Sequence, residues 1–320
     1  MVVNQKDIQK AVEILRSGGL VAFPTETVYG LGADASNLDA LRKVFAAKQR
    51  PIDHPLIVHL ADVAELTHWA REVPASAERL AQVFWPGPLT LILKKAAHVS
   101  DMVTGNQDTI GLRIPNHPIA RALLRAFGGG LAAPSANRFG RISPTTAEAV
   151  QEELEQAVNM ILDGGQCDVG LESTIVDVSS EHPVVLRPGR ITSQEIEAVL
   201  REPVSFGKKN SPRVSGSLES HYAPRTPTAL VAKAELSNYV KNLAALDLPC
   251  VVLSYESIAL EREGVTCLVM SADPKQYAHD LYRVMRELDK KKLKLIVIEA
   301  LPEGQDWDAI RDRVQRATAK

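Results

Sequence analysis

Five basic side chains occupy positions where a solvated charge is not expected, at the ends of predicted elements or inside an apolar strand. They are Lys48, Arg50, Arg113, Arg141 and Arg187. Arg113 lies in the otherwise apolar segment 109–114, where burial of an unpaired cation is costly. We therefore expect an anionic partner or ligand for Arg113, and we interpret the five cations together as a site for a polyanion.

Two loops rich in small and hydroxyl-bearing residues accompany these cations. The loop 23–32 follows a predicted buried strand and holds two threonines, a glutamate and two glycines. The loop 133–137 leads towards Ser143 and offers hydroxyls and backbone amides that suit phosphate oxygens. Local explanations stay open, because either loop can be a simple turn and the cations near residue 50 also complement a helix C-terminus.

Other motifs for phosphate binding or catalysis are absent from the sequence. The chain has no Gly-x-x-x-x-Gly-Lys-Ser/Thr loop, no Gly-x-Ser-x-Gly elbow and no His-Glu-x-x-His pair. A nucleotide, if bound, is therefore held in another way.

Composition excludes several classes of protein. The 320 residues include 37 basic and 39 acidic side chains, and a net charge of -2 argues against tight, nonspecific nucleic-acid binding. Three widely separated cysteines without a Cys-x-x-Cys pair encode neither a disulfide framework nor a zinc finger. Apolar runs are too short to span a membrane, so we expect a cytoplasmic protein without a membrane partner.

Alternating helical and strand periods over residues 1–200 predict an α/β domain with a twisted, mixed sheet. Predicted strands are 20–23, 56–60, 89–94, 109–114, 160–163, 173–178 and 184–187, and predicted helices are 38–47, 75–84, 118–127 and 146–157. Thr145 with Glu148, and Thr192 with Glu195, match the capping box that begins a helix.

Residues 201–227 lose this periodicity and are rich in proline and serine, which predicts a linker. Residues 228–320 then predict a small Rossmann-like domain with a parallel sheet. Its strands are expected at 228–232, 250–254, 265–270 and 293–298, and its helices at 236–246, 275–289 and 306–317. No Gly-x-Gly-x-x-Gly opens any of these helices, so a dinucleotide site is not expected there.

Seven motifs lie in order along the chain. They are Pro24-Thr25-Glu26-Thr27-Val28-Tyr29-Gly30, Lys48-x-Arg50-Pro51, His54-Pro55-Leu56, Gly111-Leu112-Arg113-x-Pro115, Pro134-Ser135-Ala136-Asn137, Ser173-Thr174-Ile175-Val176-Asp177 and Arg187-Pro188-Gly189. Together they resemble the two-domain threonylcarbamoyl-AMP synthases, in which a YrdC-like catalytic domain precedes a linker and a smaller C-terminal domain. The resemblance covers essentially the whole chain.

The resemblance implies a nucleotidyltransferase that converts L-threonine, bicarbonate and ATP, with Mg²⁺ accompanying ATP, into threonylcarbamoyl-adenylate and pyrophosphate. Downstream tRNA-modifying transferase proteins would use the adenylate to form threonylcarbamoyladenosine in tRNA. Attack on the α-phosphorus gathers negative charge and needs fixed cations rather than a protein nucleophile. We see no dedicated carboxylate cage for Mg²⁺ in the sequence.

Site residues follow from the same resemblance. The ATP side would comprise Lys48, Arg50, His54, Thr109, Ser135, Asn137, Ser143, Arg187 and Tyr222, with Lys48 and Arg50 as the catalytic cations. The threonine side would comprise Thr27, His59, Arg113, Ser173 and the backbone of Ala133. Arg113 would pair with the amino-acid carboxylate through its planar guanidinium. His221 and Tyr222 would belong to a lid formed by the linker.

Two alternatives belong to other classes. An RNA-binding module could use the same basic cleft, but aromatic residues make up only 5% of the chain and single-strand binders need stacking platforms. A carbamoyl-transfer subunit of hydrogenase maturation has a related core domain, but it carries Cys-x-x-Cys zinc pairs that this chain lacks.

Overall fold

Short apolar segments between polar loops build one large mixed sheet from the first two thirds of the chain. A computed structural model describes residues 4–207, 210–216, 218, 220–244, 249–257, 264–291 and 293–319. Within these residues, ten strands share the sheet in the order β10-β9-β8-β4-β5-β3-β6-β2-β1-β7. The strands are β1 (Val21–Phe23), β2 (Gly30–Asp34), β3 (Ile57–His59), β4 (Leu89–Lys94), β5 (Thr109–Arg113), β6 (Leu131–Ala132), β7 (Met160–Ile161), β8 (Thr174–Asp177), β9 (Val184–Arg187) and β10 (Ser205–Phe206).

Helices surround this sheet and bury one apolar face each. They are α1 (Gln5–Arg16), α2 (Leu38–Lys48), α3 (Leu66–Trp69), α4 (Ala75–Phe84), α5 (Asp101–Thr104), α6 (Pro118–Phe127), α7 (Ala147–Leu154) and α8 (Ser193–Leu200), with short 3-10 turns at Val63–Glu65 and Glu155–Ala157. In α1 the buried positions Ile8, Ala11, Val12 and Leu15 recur at helical spacing and pack in one cluster with residues of α6.

The mixed α/β prediction is confirmed, and the structure corrects some of its elements. β2 begins at Gly30, inside the segment predicted as a loop. The strand was not predicted because its two glycines weaken the strand pattern in the sequence. The capping box expected at Thr145 and Glu148 is wrong. Thr146 is the N-cap of α7 and accepts the Ala149 amide at 3.2 Å. The capping box of Thr192 and Glu195 is confirmed.

Residues 201–227 divide between two compact units. The first unit comprises Met1–Phe139 and Ser143–Ser217, and the second comprises Gly140–Ile142 and Leu218–Lys320. The segment predicted as a linker therefore contributes β10, which pairs in parallel with β9, to the first unit.

The second unit contains a parallel sheet of four described strands in the order β11-β14-β12-β13, which confirms the Rossmann-like prediction. Its elements are β11 (Thr228–Val231), α9 (Lys233–Ala244), β12 (Cys250–Ser254), β13 (Val265–Val269), α10 (Pro274–Asp289), β14 (Leu295–Glu299) and α11 (Gln305–Thr318). The predicted end of α9 reaches into residues 245–246, which lie outside the described part of the chain.

Among the described residues, no helix combines the length and the apolar character that crossing a membrane requires.

Candidate active site

Arg113 finds its anionic partner within the chain. Its Nη2 donates to Glu26 Oε1 at 2.7 Å, and both side chains are buried. Nη1 donates to Thr27 Oγ1 at 2.9 Å, and Nε donates to the Gly87 carbonyl at 3.3 Å. Glu26 Oε2 in turn accepts the Asn116 amide at 2.9 Å. The guanidinium is therefore neutralised and oriented before any ligand arrives.

The loop before β2 orders its two threonine hydroxyls, and Thr27 Oγ1 keeps the capacity to accept one more hydrogen bond. Thr25 Oγ1 donates to the Val28 carbonyl at 2.6 Å and lies 2.7 Å from Thr27 Oγ1. Because the Thr25 proton is committed to Val28, the Thr27 hydroxyl donates to Thr25 and accepts from Arg113. Its second lone pair can accept one further donor.

His59 ends β3 and is a neutral imidazole in the core of the site. Burial, with a smaller contribution from the charge of Arg113, lowers its pKa to about 3. Its ring meets Phe23 edge-on with a centroid distance of 6.1 Å. Within the described residues, His59 Nδ1 is buried without a hydrogen-bond partner. A ligand hydroxyl would complete its hydrogen bonding.

Lys48 ends α2 and holds the loop 133–137 in place. Its Nζ donates to the carbonyl oxygens of Ser135 and Asn137, each at 2.5 Å, and the side chain is 1% exposed. Burial, followed by the charge of Arg50, lowers the pKa of this amine well below its ordinary value. In this structure Lys48 therefore positions the loop. Direct contact with phosphate stays a prediction.

Gln49 ends α2 in the left-handed conformation, and Arg50 follows it directly. Its guanidinium lies over the Phe139 ring at 5.7 Å, and Nη2 donates to the Pro55 carbonyl at 2.8 Å. His54 meets the same Phe139 ring edge-on at 5.0 Å, and burial with the charge of Arg50 lowers its pKa. Arg50 and His54 therefore share one wall of the site.

Arg187, the last residue of β9, joins the two predicted halves of the site. Nε and Nη2 donate to the Ser173 carbonyl at 3.1 and 2.9 Å, and Nη2 also donates to Ser173 Oγ at 3.1 Å. Ser173 Oγ lies 2.8 Å from Thr90 Oγ1. Gly189 permits this approach, because a Cβ there would lie 2.3 Å from the Thr174 amide nitrogen.

The remaining predicted residues of the first unit take separate positions. Ser143 is buried and donates to Glu172 at 2.5 Å. Thr109 and Arg113 are the two ends of β5, about 13 Å apart along the strand. The Ala133 amide donates to the Ile57 carbonyl at 3.0 Å, so a backbone contact with a ligand falls to the Ala133 carbonyl.

Three predicted or associated residues belong to the second unit. Arg141 forms a parallel bridge with Ala223 and belongs to the second unit, whereas the other four cations that were predicted to share one site belong to the first unit. Tyr222 is buried, stacks on Tyr282 at 5.9 Å and lies under the Arg313 guanidinium at 5.1 Å. The His221 ring packs edge-on against Tyr222 at 4.2 Å. Their roles in a lid and in ATP binding stay predictions.

Sequence reasoning assigned no role to two residues that the structure connects to the site. Glu26 lies in the motif 24–30, and the cation at Arg113 was the signal that an acid was needed nearby. Ser215 lies in the segment predicted as a linker, where its type and spacing gave no signal. It contacts both Arg50 and Arg187.

This arrangement suits a reaction between two ligands rather than covalent catalysis. Arg50 and Arg187 offer guanidinium donors for phosphate oxygens, and Arg113 with Thr27 and His59 offers donors and acceptors for a small polar molecule. Among the described residues, no group of three His, Cys, Asp or Glu side chains could hold a metal ion.

Family models match nearly all of the chain. The model described as telomere recombination matches residues 13–189, and the model described as the C-terminal domain of threonylcarbamoyl-AMP synthase matches residues 191–319.

Individual relatives match over almost their full length. The threonylcarbamoyl-AMP synthase of Bacillus subtilis is 39% identical, with 98% of this chain and 93% of the relative covered. That of Pyrococcus abyssi is 36% identical, with 99% and 95% covered. The crystal structure of P. abyssi Sua5 complexed with L-threonine superposes with a TM-score of 0.91 at 34% identity, covering 99% of this chain and 96% of that chain.

Proposed function

The chain belongs to the threonylcarbamoyl-AMP synthase family, and we propose that its first unit condenses L-threonine, bicarbonate and ATP into threonylcarbamoyl-adenylate and pyrophosphate. The similarity to synthases over the whole chain supports this enzyme and not an RNA-binding module.

The contact between Ser173 and Arg187 is the observation that carries the proposal. Ser173 belongs to the predicted threonine side and Arg187 to the predicted ATP side, and two guanidinium nitrogens bond the Ser173 carbonyl at 2.9 and 3.1 Å. A carbamate formed on threonine beside Ser173 would therefore lie next to a cation directed at the nucleotide. Such proximity lets two bound reactants meet without a covalent enzyme intermediate.

The reaction balances without any group from the protein. The threonine amine attacks bicarbonate, and loss of water leaves a carbamate on the amine. A carbamate oxygen then attacks the α-phosphorus of ATP. The bond between the α-phosphorus and the oxygen that bridges it to the β-phosphorus breaks, and this oxygen leaves with pyrophosphate. Because charge gathers on the phosphates, buried guanidinium groups in a site of low dielectric are the catalytic devices we expect.

On the nucleotide side, Arg50 and Arg187 would bind phosphate oxygens, and Mg²⁺ would arrive as part of the Mg–ATP substrate. Lys48 would support catalysis by fixing the carbonyl oxygens of Ser135 and Asn137. His54, Thr109 and Ser143 complete this side in our proposal.

On the amino-acid side, Arg113 would bind the threonine carboxylate with the guanidinium N–H groups that Glu26, Thr27 and Gly87 do not use. Thr27 can accept from the ammonium or hydroxyl of the ligand. His59 Nδ1 is the acceptor that we assign to the threonine hydroxyl, because it is buried and has no described hydrogen-bond partner.

His221 and Tyr222 would act as a lid that excludes water from the adenylate. An alanine double variant should bind ATP more weakly and lose adenylate to hydrolysis faster than the parent. The adenylate is a mixed anhydride that can transfer its threonylcarbamoyl group, and the family resemblance assigns this transfer to a transferase that modifies tRNA. A cytoplasmic location agrees with that role.

The proposal is tested by following pyrophosphate release with each substrate omitted in turn. We expect release only when L-threonine, bicarbonate and Mg–ATP are all present. Pyrophosphate release that does not depend on threonine would contradict the proposed reaction.

A further inference from the structure

Residues 213–216, here called the strap, contact the rest of the first unit at three consecutive positions. Arg213 Nη2 donates to the Gly105 carbonyl at 2.8 Å, and its Nη1 lies 3.3 Å from Asp53 Oδ2. The Arg213 amide donates to Gln107 Oε1 at 2.7 Å, and Gln107 Nε2 returns a bond to the Arg213 carbonyl at 2.9 Å. The strap is therefore held by a specific set of polar contacts.

An apolar anchor follows in the next residue. Val214 is 5% exposed and packs with Ile92 of β4 and Ile175 of β8. These two strands are neighbours in the sheet, and β9, which ends at Arg187, is next to β8. Burial of Val214 therefore sets Ser215 beside the nucleotide half of the proposed site.

Ser215 bonds both cations that we assign to the phosphates. Its Oγ accepts from Arg50 Nη1 at 3.4 Å and Nη2 at 3.3 Å, and its carbonyl accepts from Arg187 Nη1 at 2.8 Å. The remaining edge of Arg187 is fixed by Ser173, so Nη1 is the nitrogen that the strap occupies. Two oxygen atoms of one residue thus bridge two buried guanidinium groups, 7% and 4% exposed.

We propose that Ser215 is a stand-in ligand, whose hydroxyl and carbonyl oxygens occupy the Arg50 and Arg187 donors that phosphate oxygens take, so that polyphosphate binding displaces the strap. The strap is then a positioning segment that keeps two buried cations oriented between turnovers.

Charge favours phosphate over the strap as the partner of Arg50 and Arg187. The Arg50 contacts with the strap are long, and both Ser215 acceptors are neutral. A phosphate supplies anionic oxygens, and hydrogen bonds between ionised partners are shorter and roughly twice as strong as neutral ones. Polyphosphate at saturating concentration therefore replaces the strap at these guanidinium donors. Competition with the strap weakens the apparent affinity for polyphosphate.

The inference rests on the proposed nucleotide site. Inorganic pyrophosphate is the probe, because its effect on the strap can be measured independently of the proposed reaction. Trypsin can cleave after the exposed Arg213, so cleavage at that bond reports release of the strap. We expect pyrophosphate to accelerate this cleavage in the full chain, and L-threonine alone to leave it unchanged.

Two variants test the competition from different sides. Ser215→Ala removes the hydroxyl acceptor, and we expect it to tighten pyrophosphate binding measured by calorimetry by about twofold to fivefold, the range for one weak hydrogen bond. Val214→Ala loosens the anchor, and we expect faster cleavage after Arg213 without ligand as well as tighter binding. Ser205→Ala, on the exposed strand β10, is the matched control and should change neither quantity.

Weaker pyrophosphate binding in both strap variants, with the fold intact by circular dichroism, would overturn the proposal, because it would show a strap that assists binding. Unchanged cleavage after Arg213 at saturating pyrophosphate would overturn it too. If pyrophosphate releases the strap but no adenylate forms from the three substrates, the strap proposal stands and the proposed reaction fails.

Discussion

Glu26 and Arg113 form a buried ion pair in which Glu26 Oε1 lies 2.7 Å from Arg113 Nη2, with side-chain exposures of 7% and 5%. The pair joins the loop before β2 to the end of β5, so the cation that we assign to the threonine carboxylate is already compensated without a ligand. Removal of either partner leaves a buried charge, which typically costs about 3 to 5 kcal/mol.

This pair predicts that Arg113→Ala combines loss of stability with loss of threonine use. We expect a free energy of unfolding lower by about 3 kcal/mol and a KM for threonine at least about tenfold higher, with a smaller change in the KM for ATP. Arg113→Lys should retain more stability but still raise the KM for threonine, because an ammonium lacks the planar fork. Urea unfolding and steady-state kinetics measure both effects.

Arg125→Ala, on the exposed face of α6, controls for loss of an arginine from the same unit. A folded Arg113→Ala enzyme with the wild-type KM for threonine would remove Arg113 from the amino-acid side.

His59 predicts a pH dependence of stability with a defined sign. Its pKa is about 3 in the folded protein and about 6.5 when unfolded, so the unfolded chain binds the proton more tightly. The stabilisation is complete above about pH 6.5 and is lost progressively as the pH falls towards 3.

Between pH 7 and pH 5 we expect wild type to lose about 2 kcal/mol more than His59→Gln does. Urea unfolding at several pH values measures the difference, and His182→Asn, at an exposed position, is the control. Parallel pH profiles of wild type and His59→Gln would show that His59 is not buried in its neutral form.

The same residue predicts selectivity among amino acids. If His59 Nδ1 accepts the threonine hydroxyl, valine leaves this buried atom unpaired, and threonine should be preferred by about 1 to 3 kcal/mol in kcat/KM. Serine should be the closer competitor, because it keeps the hydroxyl and loses only a methyl group. His59→Phe should narrow the difference between threonine and valine. Equal use of both amino acids by wild type would exclude a polar pocket.

Lys48→Met tests whether this lysine positions the loop 133–137 on the nucleotide side of the proposed site. The change leaves two buried carbonyl oxygens without their donor, so we expect a free energy of unfolding lower by about 2 to 4 kcal/mol and a higher KM for ATP. Lys10→Met, at an exposed position on α1, should leave both unchanged. An unchanged stability with a reduced kcat would instead favour direct contact between Lys48 and the phosphates.

Sequence reasoning predicted the elements that have strong periodicity, and it failed where tertiary contacts decide. The ends of β4, α4 and α6 were predicted to the residue. Proline or glycine bounds both helices, and β4 is an apolar run that begins directly after Pro88. β2 was missed because Gly30 and Gly32 have low strand propensity, and its place is fixed by pairing with β1 and β6. The N-cap of α7 is Thr146 rather than Thr145, because the Thr146 hydroxyl is the one that accepts the Ala149 amide.

For the site, motif spacing identified the cations but not their partners. Sequence could signal that Arg113 needs an acid, whereas only the fold brings Glu26 to it across 87 residues. Ser215 lies 165 residues from Arg50 along the chain, and nothing in a serine within a proline-rich segment indicates the contact.

Mass detection of the product, with carbon-labelled bicarbonate as a substrate, directly tests whether the enzyme forms threonylcarbamoyl-adenylate. Incubation of the full chain with Mg–ATP and L-threonine should yield threonylcarbamoyl-adenylate that carries the label in its carbamoyl carbon, together with an equal amount of pyrophosphate. Formation of unlabelled adenylated threonine, or of AMP without any carbamoyl product, would contradict the account.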